Sequence, residues 1–264
     1  MRRSLVTVLL GVMSLSCPHL LPAGTPPVRY GEGLVRGFLS LSTLEGKPLA
    51  YGDLIQSARG DRVTRRLVFH FKDGSVHDET VVYTQHQTFR LLKDHVIQKG
   101  PAFRHPMDFS LDATTGQVTV HYQDGGGNEK VATKRLALPA DIANGLVLTL
   151  IKNIGAESGP ITVSMVAATP EPLLIKLRIS LAGEEPFAIG SSQRTAMHYV
   201  VRAEIGGVAG VVAPLIGKQP ADTHVWILSG DAPAFLKAEG PLAADGPAWR
   251  IELASPVWPP VAKP

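Results

Sequence analysis

Along much of this chain, apolar and polar side chains change places at every residue. Leu173, Ile175, Leu177, Ile179 and Leu181 alternate with Lys176, Arg178 and Ser180. Met197, Tyr199, Val201, Ala203 and Ile205 alternate with His198, Arg202 and Glu204. Val118, Val120 and Tyr122 repeat the pattern around Thr119 and His121, as do Trp249, Ile251 and Leu253 around Arg250 and Glu252. A period of two sends one row of side chains to a core and the other to water, which is the pattern of antiparallel sheets. Turn residues punctuate the runs at Asp73-Gly74, Thr115-Gly116, Gly125-Gly126-Gly127 and Ala182-Gly183, where glycine takes positive φ without a Cβ clash. The pattern predicts a mainly β protein. It implies a large curved antiparallel sheet, a barrel or half-barrel, of about 11–13 strands.

One segment departs from this period. In DIANGLVLTLIKNI, residues 141–154, Ile142, Leu146, Leu150 and Ile154 recur at helical spacing, with Val147 and Ile151 beside them. Asp141, Thr149 and Lys152 form its polar stripe. Pro139 suits a helix entry and Gly155 a stop. A helix apolar over most of its circumference needs burial, and the concave face of the sheet is the place for it. The following GAESGP is a candidate linker. A single β-rich domain over 25–264 is the preferred organisation, with 30–154 and 161–258 as the possible subdivision.

The N-terminus has the three parts of an export signal: Arg2 and Arg3, the apolar run Leu5–Met13, and small residues at Ser14 and Ser16. Residues 1–24 are expected to be a signal and leader, and the protein to be periplasmic or extracellular. The apolar run is shorter than the roughly 20 residues of a membrane-spanning helix. No later apolar run is long enough either, so no transmembrane helix is expected after processing. Cys17, the only cysteine, is a candidate lipid-anchor site. Its surroundings resemble a bacterial lipobox, with Leu15 one place out of register and Pro18 following. Otherwise it is lost with the leader. A single cysteine excludes an internal disulfide, so stability must come from a core. Without residues 1–24 the chain holds 24 basic against 23 acidic side chains. That balance, with no basic block, speaks against phosphate-backbone binding and so against a nucleic-acid partner.

The stretch FHFKDGSVHDETVVY, residues 69–83, gathers candidate chemistry. With a two-residue Asp73-Gly74 loop, His70 faces His77 and Glu79 lies on the same face, a possible divalent-metal set. A three-residue loop with a bulge would instead separate the histidines. A histidine-rich outer face, with Phe69 and Phe71 inward, is the simpler reading. Asp78 and Glu79 are strand neighbours that point to opposite faces, a poor acid–base pair. His86, His95, His105 and His121 lack ligand spacing. The run GGVAGVVAPLIGKQP, residues 206–220, fails both phosphate-loop and dinucleotide spacings and reads as a connection or a flap. No cofactor motif is present, and neither a serine-nucleophile elbow nor a zinc-protease motif occurs. The aromatic and apolar strand residues Phe69, Phe71, Phe109, Tyr199, Val201 and Trp226 are candidates to line an interior ligand cavity.

The export signal, the dozen or so antiparallel strands and the apolar helix together resemble the periplasmic half-barrel carriers of lipoproteins. They are also similar to uncharacterised bacterial secreted β-families. The resemblance spans roughly 31–256 and is one of architecture. It implies an envelope protein that binds or carries an apolar ligand such as a lipid. A structural or interaction module with a solid core is the alternative, and a metal-dependent hydrolase on His70, His77 and Glu79 a third.

Overall fold

The computed structural model describes residues 24–155, 157–189, 192–204, 220–243 and 246–254. The expected leader with Cys17, nearly all of the 206–220 run and residues 255–264 lie outside them. Eight strands come first: β1 (Val35–Thr43), β2 (Pro48–Arg59), β3 (Arg62–Phe71), β4 (Val76–Gln85), β5 (Phe89–Lys99), β6 (Met107–Asp112), β7 (Gln117–Gln123) and β8 (Glu129–Arg135). The helix α1 (Val147–Asn153) follows. Then come β9 (Ile161–Ala167), β10 (Leu173–Ile189), β11 (Ser192–Glu204), β12 (Thr223–Leu228), β13 (Ala234–Pro241) and β14 (Ala248–Leu253).

All of them form one 14-stranded sheet in the order β8-β7-β6-β5-β4-β3-β2-β1-β14-β13-β12-β11-β10-β9. Each strand pairs antiparallel with its sequence neighbour, and β1 pairs with β14 through Leu39 opposite Leu253. The order is that of an up-and-down barrel cut once, between β8 and β9. The curved sheet is therefore open, as the half-barrel expectation has it. The segment 136–160 links the two free edges and carries α1. Lys134 on β8 donates to the carbonyl of Pro172, beyond β9, at 3.1 Å.

Two strand-level details differ from the sequence reading. The count exceeds 11–13 partly because β8, EKVATKR, has no apolar alternation to reveal it. The helix is only seven residues long. Its expected first turns are broken by Asn144-Gly145, where Gly145 takes φ 64°. That is the left-handed region in which other residues are strained. The chain entering α1 instead covers the edge of β9. Ser164 exchanges backbone hydrogen bonds with Asp141 and Ala143. The Asn144 side chain accepts from Val166 N at 2.8 Å and donates to Val166 O at 2.9 Å. Asn144 thus does for β9 what another strand would, and leaves less of an edge for a foreign strand.

Thr149, expected in a polar stripe, is buried, as is Asn153. Asn153 Oδ1 accepts from the backbone of Arg29 and Tyr30 at 2.8 Å, and so ties the helix to the segment before β1.

The concave face carries two apolar clusters. The larger joins Tyr83, Phe89, Phe109, Leu111 and the α1 residues Leu150 and Ile151 to the β9–β12 row of Val163, Ile179, Tyr199, Val201 and Val225. The smaller joins Leu39, Leu41, Phe69, Phe71, Phe103 and Trp249 at the other end of the central strands.

Candidate functional site on the concave face

The β3–β4 hairpin turns differently from the two-residue expectation. Phe71 N bonds to Ser75 O, Gly74 N to Phe71 O, and Gly74 sits at φ 86°. The loop is Lys72-Asp73-Gly74, the three-residue loop with glycine in the left-handed position. The one-residue difference moves every β4 side chain to the other face relative to β3. Phe69 therefore stands opposite His77, and His70 opposite Val76. His70 is exposed on the convex face while His77 is 4% exposed on the concave one. His70, His77 and Glu79 do not converge, which removes the basis for a metal-dependent hydrolase there. Among the described residues, no group of three or more His, Cys, Asp or Glu is arranged to hold a metal ion.

The same register places Glu79 inward, two residues from His77, rather than in solvent. It meets Arg65 of β3, with Nη2–Oε2 at 3.5 Å. Asp78 points outward and is held by Arg66 at 2.6 Å, so the two carboxylates do lie on opposite faces. Arg65 also donates to the carbonyl of Gly145 and, at 3.4 Å, to Thr149 Oγ1. The guanidinium thereby fastens the sheet to the segment that starts α1. Its row on β3 reads Val63, Arg65, Leu67, Phe69, Phe71: one charge in an apolar line.

Asp94 is the most unusual member. It is inward-facing on β5, opposite Val81 of β4 and Leu111 of β6. It is 3% exposed, and its Oδ1 has no hydrogen-bond partner among the described residues. Burial pushes its carboxyl well above the ordinary aspartate range; the nearby Glu79 adds to the rise and Arg65 opposes it. A buried carboxyl in this situation keeps its proton, because the charged form has lost water and gained a like charge. Gly145 faces it closely: a Cβ there would lie 3.4 Å from Asp94 Oδ1 and 2.4 Å from Val81 Cγ2.

Further polar groups continue the band on both sides. Tyr83 OH donates to Gln56 Oε1 at 3.4 Å, and Gln56 Nε2 donates to Glu32 Oε2 at 3.0 Å. Glu32 is paired with Lys152 of α1. Burial, helped by Glu32, pushes the Tyr83 phenol up to about 12. Gln98 Nε2 lies 3.1 Å from His77 Nδ1 and donates to Leu242 O at 2.8 Å. Burial lowers the His77 imidazole, with Glu79 and Asp78 opposing. A neutral ring can then accept from Gln98. Gln98 Oε1, like Asp94 Oδ1, is buried without a partner among the described residues. Gln56, Arg65, His77, Glu79, Asp94 and Gln98 thus form a polar band across β2–β5 where the two apolar clusters meet.

Of the expected cavity residues, Phe109, Tyr199 and Val201 belong to the larger cluster and Phe69 and Phe71 to the smaller. Trp226 stands apart from both. Its neighbours Val225 and Ile227 are in the larger cluster, so its ring takes the convex face, where it stacks on His198 with centroids 4.3 Å apart. A depression of about 410 Å³ lies near that stack, lined by Glu184, Glu185, Pro186, Gln193, Arg194 and Thr195. Five of its six lining residues carry polar or charged side chains, and none of the expected cavity residues lines it.

Sequence reasoning passed over Arg65, Asp94 and Gln98. The signal for Arg65 was present, a charge on the apolar row of RVTRRLVFHF. For Asp94 it was hidden, because a bulge shifts the β4–β5 pairing from Val82–Lys93 to Tyr83–Leu91. Counting by twos from Phe89 then places Asp94 on the wrong face.

No family model matches this chain. No curated protein matches it either. Among solved structures, it is similar to the crystal structure of a β-barrel-like protein of a domain of unknown function, DUF1849, from Brucella abortus. The identity is 8% and the TM-score 0.43, with 88% of this chain and 97% of that one covered.

Proposed function

We propose that this chain is an exported envelope protein whose open β-shell binds a small amphipathic molecule on its concave face. The apolar part of the ligand packs against the aromatic and aliphatic clusters, with Phe69, Phe109 and Tyr199 among the contacts. Its polar end meets the band of Asp94, Glu79 and Arg65. The observation that carries this reading is Asp94 itself: a carboxyl inside an apolar shell, with an oxygen that nothing in the described chain satisfies. Leaving such a group unpaired costs stability, typically about 1–3 kcal/mol. Perturbed, costly ionisable groups concentrate where a protein meets a ligand. The export-like N-terminus supports the compartment.

A filled scaffold is the competing reading. Phe69 and Leu150 at 0% exposure and Phe109 and Ile151 at 1% favour it. Mature protein purified without detergent and extracted with organic solvent separates the two. The binding reading expects a defined amphiphile by mass spectrometry, and dye fluorescence that falls when that amphiphile is added back. An empty extract and no binding of hydrophobic dyes would overturn it in favour of the scaffold.

A further inference from the structure

The β10–β11 pair outruns the rest of the sheet. β9 follows β10 only as far as Ile161 opposite Ile179, and β12 follows β11 only as far as Leu228 opposite Ala196. β10 and β11 go on pairing with each other to Ile189 opposite Ser192. Their register shifts between Leu181 and Gly183, where the two-stranded ribbon leaves the sheet, and a bulge of this kind bends a strand. At the foot of the ribbon, on the convex face, a chain of polar groups crosses three strands. Glu185 Oε1 of β10 lies 3.0 Å from His198 Nδ1 of β11. His198 Nε2 lies 2.9 Å from His224 Nδ1 of β12. Trp226 Nε1 donates to Glu185 Oε2 at 2.8 Å, and its ring lies flat on His198 with an interplanar angle of 7°.

Counting protons along this chain gives it a direction. Glu185 keeps a proton on His198 Nδ1 and leaves the Nε2 lone pair to accept from His224 Nδ1–H. A first added proton goes to His198 Nε2, which then donates to His224 Nδ1 while His224 carries its own proton on Nε2. The hydrogen bond survives with its sense reversed. A second added proton sets N–H against N–H and one cation against another, and the contact cannot be kept. The surroundings offer that second charge nothing. Glu239, opposite His224 on β13, is taken by Arg250 at 2.8 Å and Lys237 at 3.5 Å. Asp222 is taken by Arg202 at 2.6 Å, and Glu204 by Arg178 at 3.9 Å. Lys237 Nζ also stands over the Trp226 ring, 3.9 Å from its centroid. Burial holds the His198 imidazole below its ordinary value, helped by His224 and Lys237 and opposed by Glu185. The unfolded chain therefore takes that proton first, and stability is lost as pH falls through about 6.5.

We propose that Glu185, His198 and His224 form an acid-operated latch between β11 and β12 at the foot of the β10–β11 ribbon. It stays shut with no added proton or with one, and opens when both imidazoles are charged. On opening, His224 turns away from β11 and His198 is left to Glu185 alone. Trp226, which stacks on one partner and donates to the other, registers the change.

A pH titration of the mature protein, isotope-labelled in its histidine nitrogens, tests the latch by imidazole resonances, tryptophan emission and far-ultraviolet circular dichroism together. At neutral pH His198 should carry its proton on Nδ1. The pair should take its two protons in separate steps, at least about one pH unit apart. The second step should bring a change in emission that Trp226→Phe abolishes, while circular dichroism stays constant. In His224→Gln, His198 should titrate in one step and the later change in emission should be lost. Two histidines that titrate independently in the wild type, or an emission change that persists unaltered in His224→Gln, would overturn the latch. Loss of the sheet at the same pH in wild type and His224→Gln would also overturn it, by assigning the change to unfolding.

Discussion

Asp94 is the residue on which burial and charge disagree most, and its titration gives a prediction with a definite sign. Its folded-state value is raised, so the native state binds its proton more tightly than the unfolded chain does. Its contribution to stability is therefore complete below the ordinary aspartate value, about 4. It is lost as pH rises through the folded value. Asp94→Asn keeps the shape and cannot ionise. Urea unfolding between pH 4.5 and 8 should show the variant gaining on the wild type as pH rises. Parallel curves would show that Asp94 does not titrate in this window. Arg65 is the counter-charge in the same band. Its side chain is 11% exposed beside Glu79, and it also serves Gly145 and Thr149. Arg65→Leu leaves a nearly buried carboxylate without a counter-charge, and the loss should be about 3 kcal/mol.

At the scale of elements, the segment between the sheet's two edges decides how much of the helix forms. Asn144-Gly145 is a turn dipeptide inside the helical period, and the spacing of Ile142, Leu146 and Leu150 masks it. Both facts are physical: those side chains are buried together, but Ile142 reaches the core from a chain laid along β9. Gly145→Ala would meet Val81 Cγ2 at 2.4 Å and sit at φ 64°. The expected cost is about 1–3 kcal/mol, visible as a lower urea midpoint. Asn144→Ala removes both bonds to Val166, and amide exchange at Val166 should accelerate well before global unfolding. The hairpin taught the complementary lesson. Its strands and inward phenylalanines were legible, but a one-residue difference in loop length carried His77 and Glu79 inside. Turn chemistry, not strand pattern, set which face became chemical.

For the whole molecule, periodicity of two predicted the mainly β class and a large curved sheet, barrel or half-barrel, because each strand buries one row; that the shell stays open is a finding of the structure. Periodicity could not show the β1–β14 pairing that joins the two halves of the chain, since pairing between strands so far apart leaves no local mark. Nor could it show the band across β2–β5, which exists only once four strands and the helix segment come together. The central claim is that this band receives the polar end of an amphiphile. Native mass spectrometry of the wild type and Asp94→Leu, both purified without detergent, tests it most directly. The account predicts wild-type protein carrying added mass of one lipid-sized molecule, released on unfolding, and Asp94→Leu carrying much less of it while folded. Bare polypeptide mass in the wild type, or equal occupancy in both proteins, would contradict it.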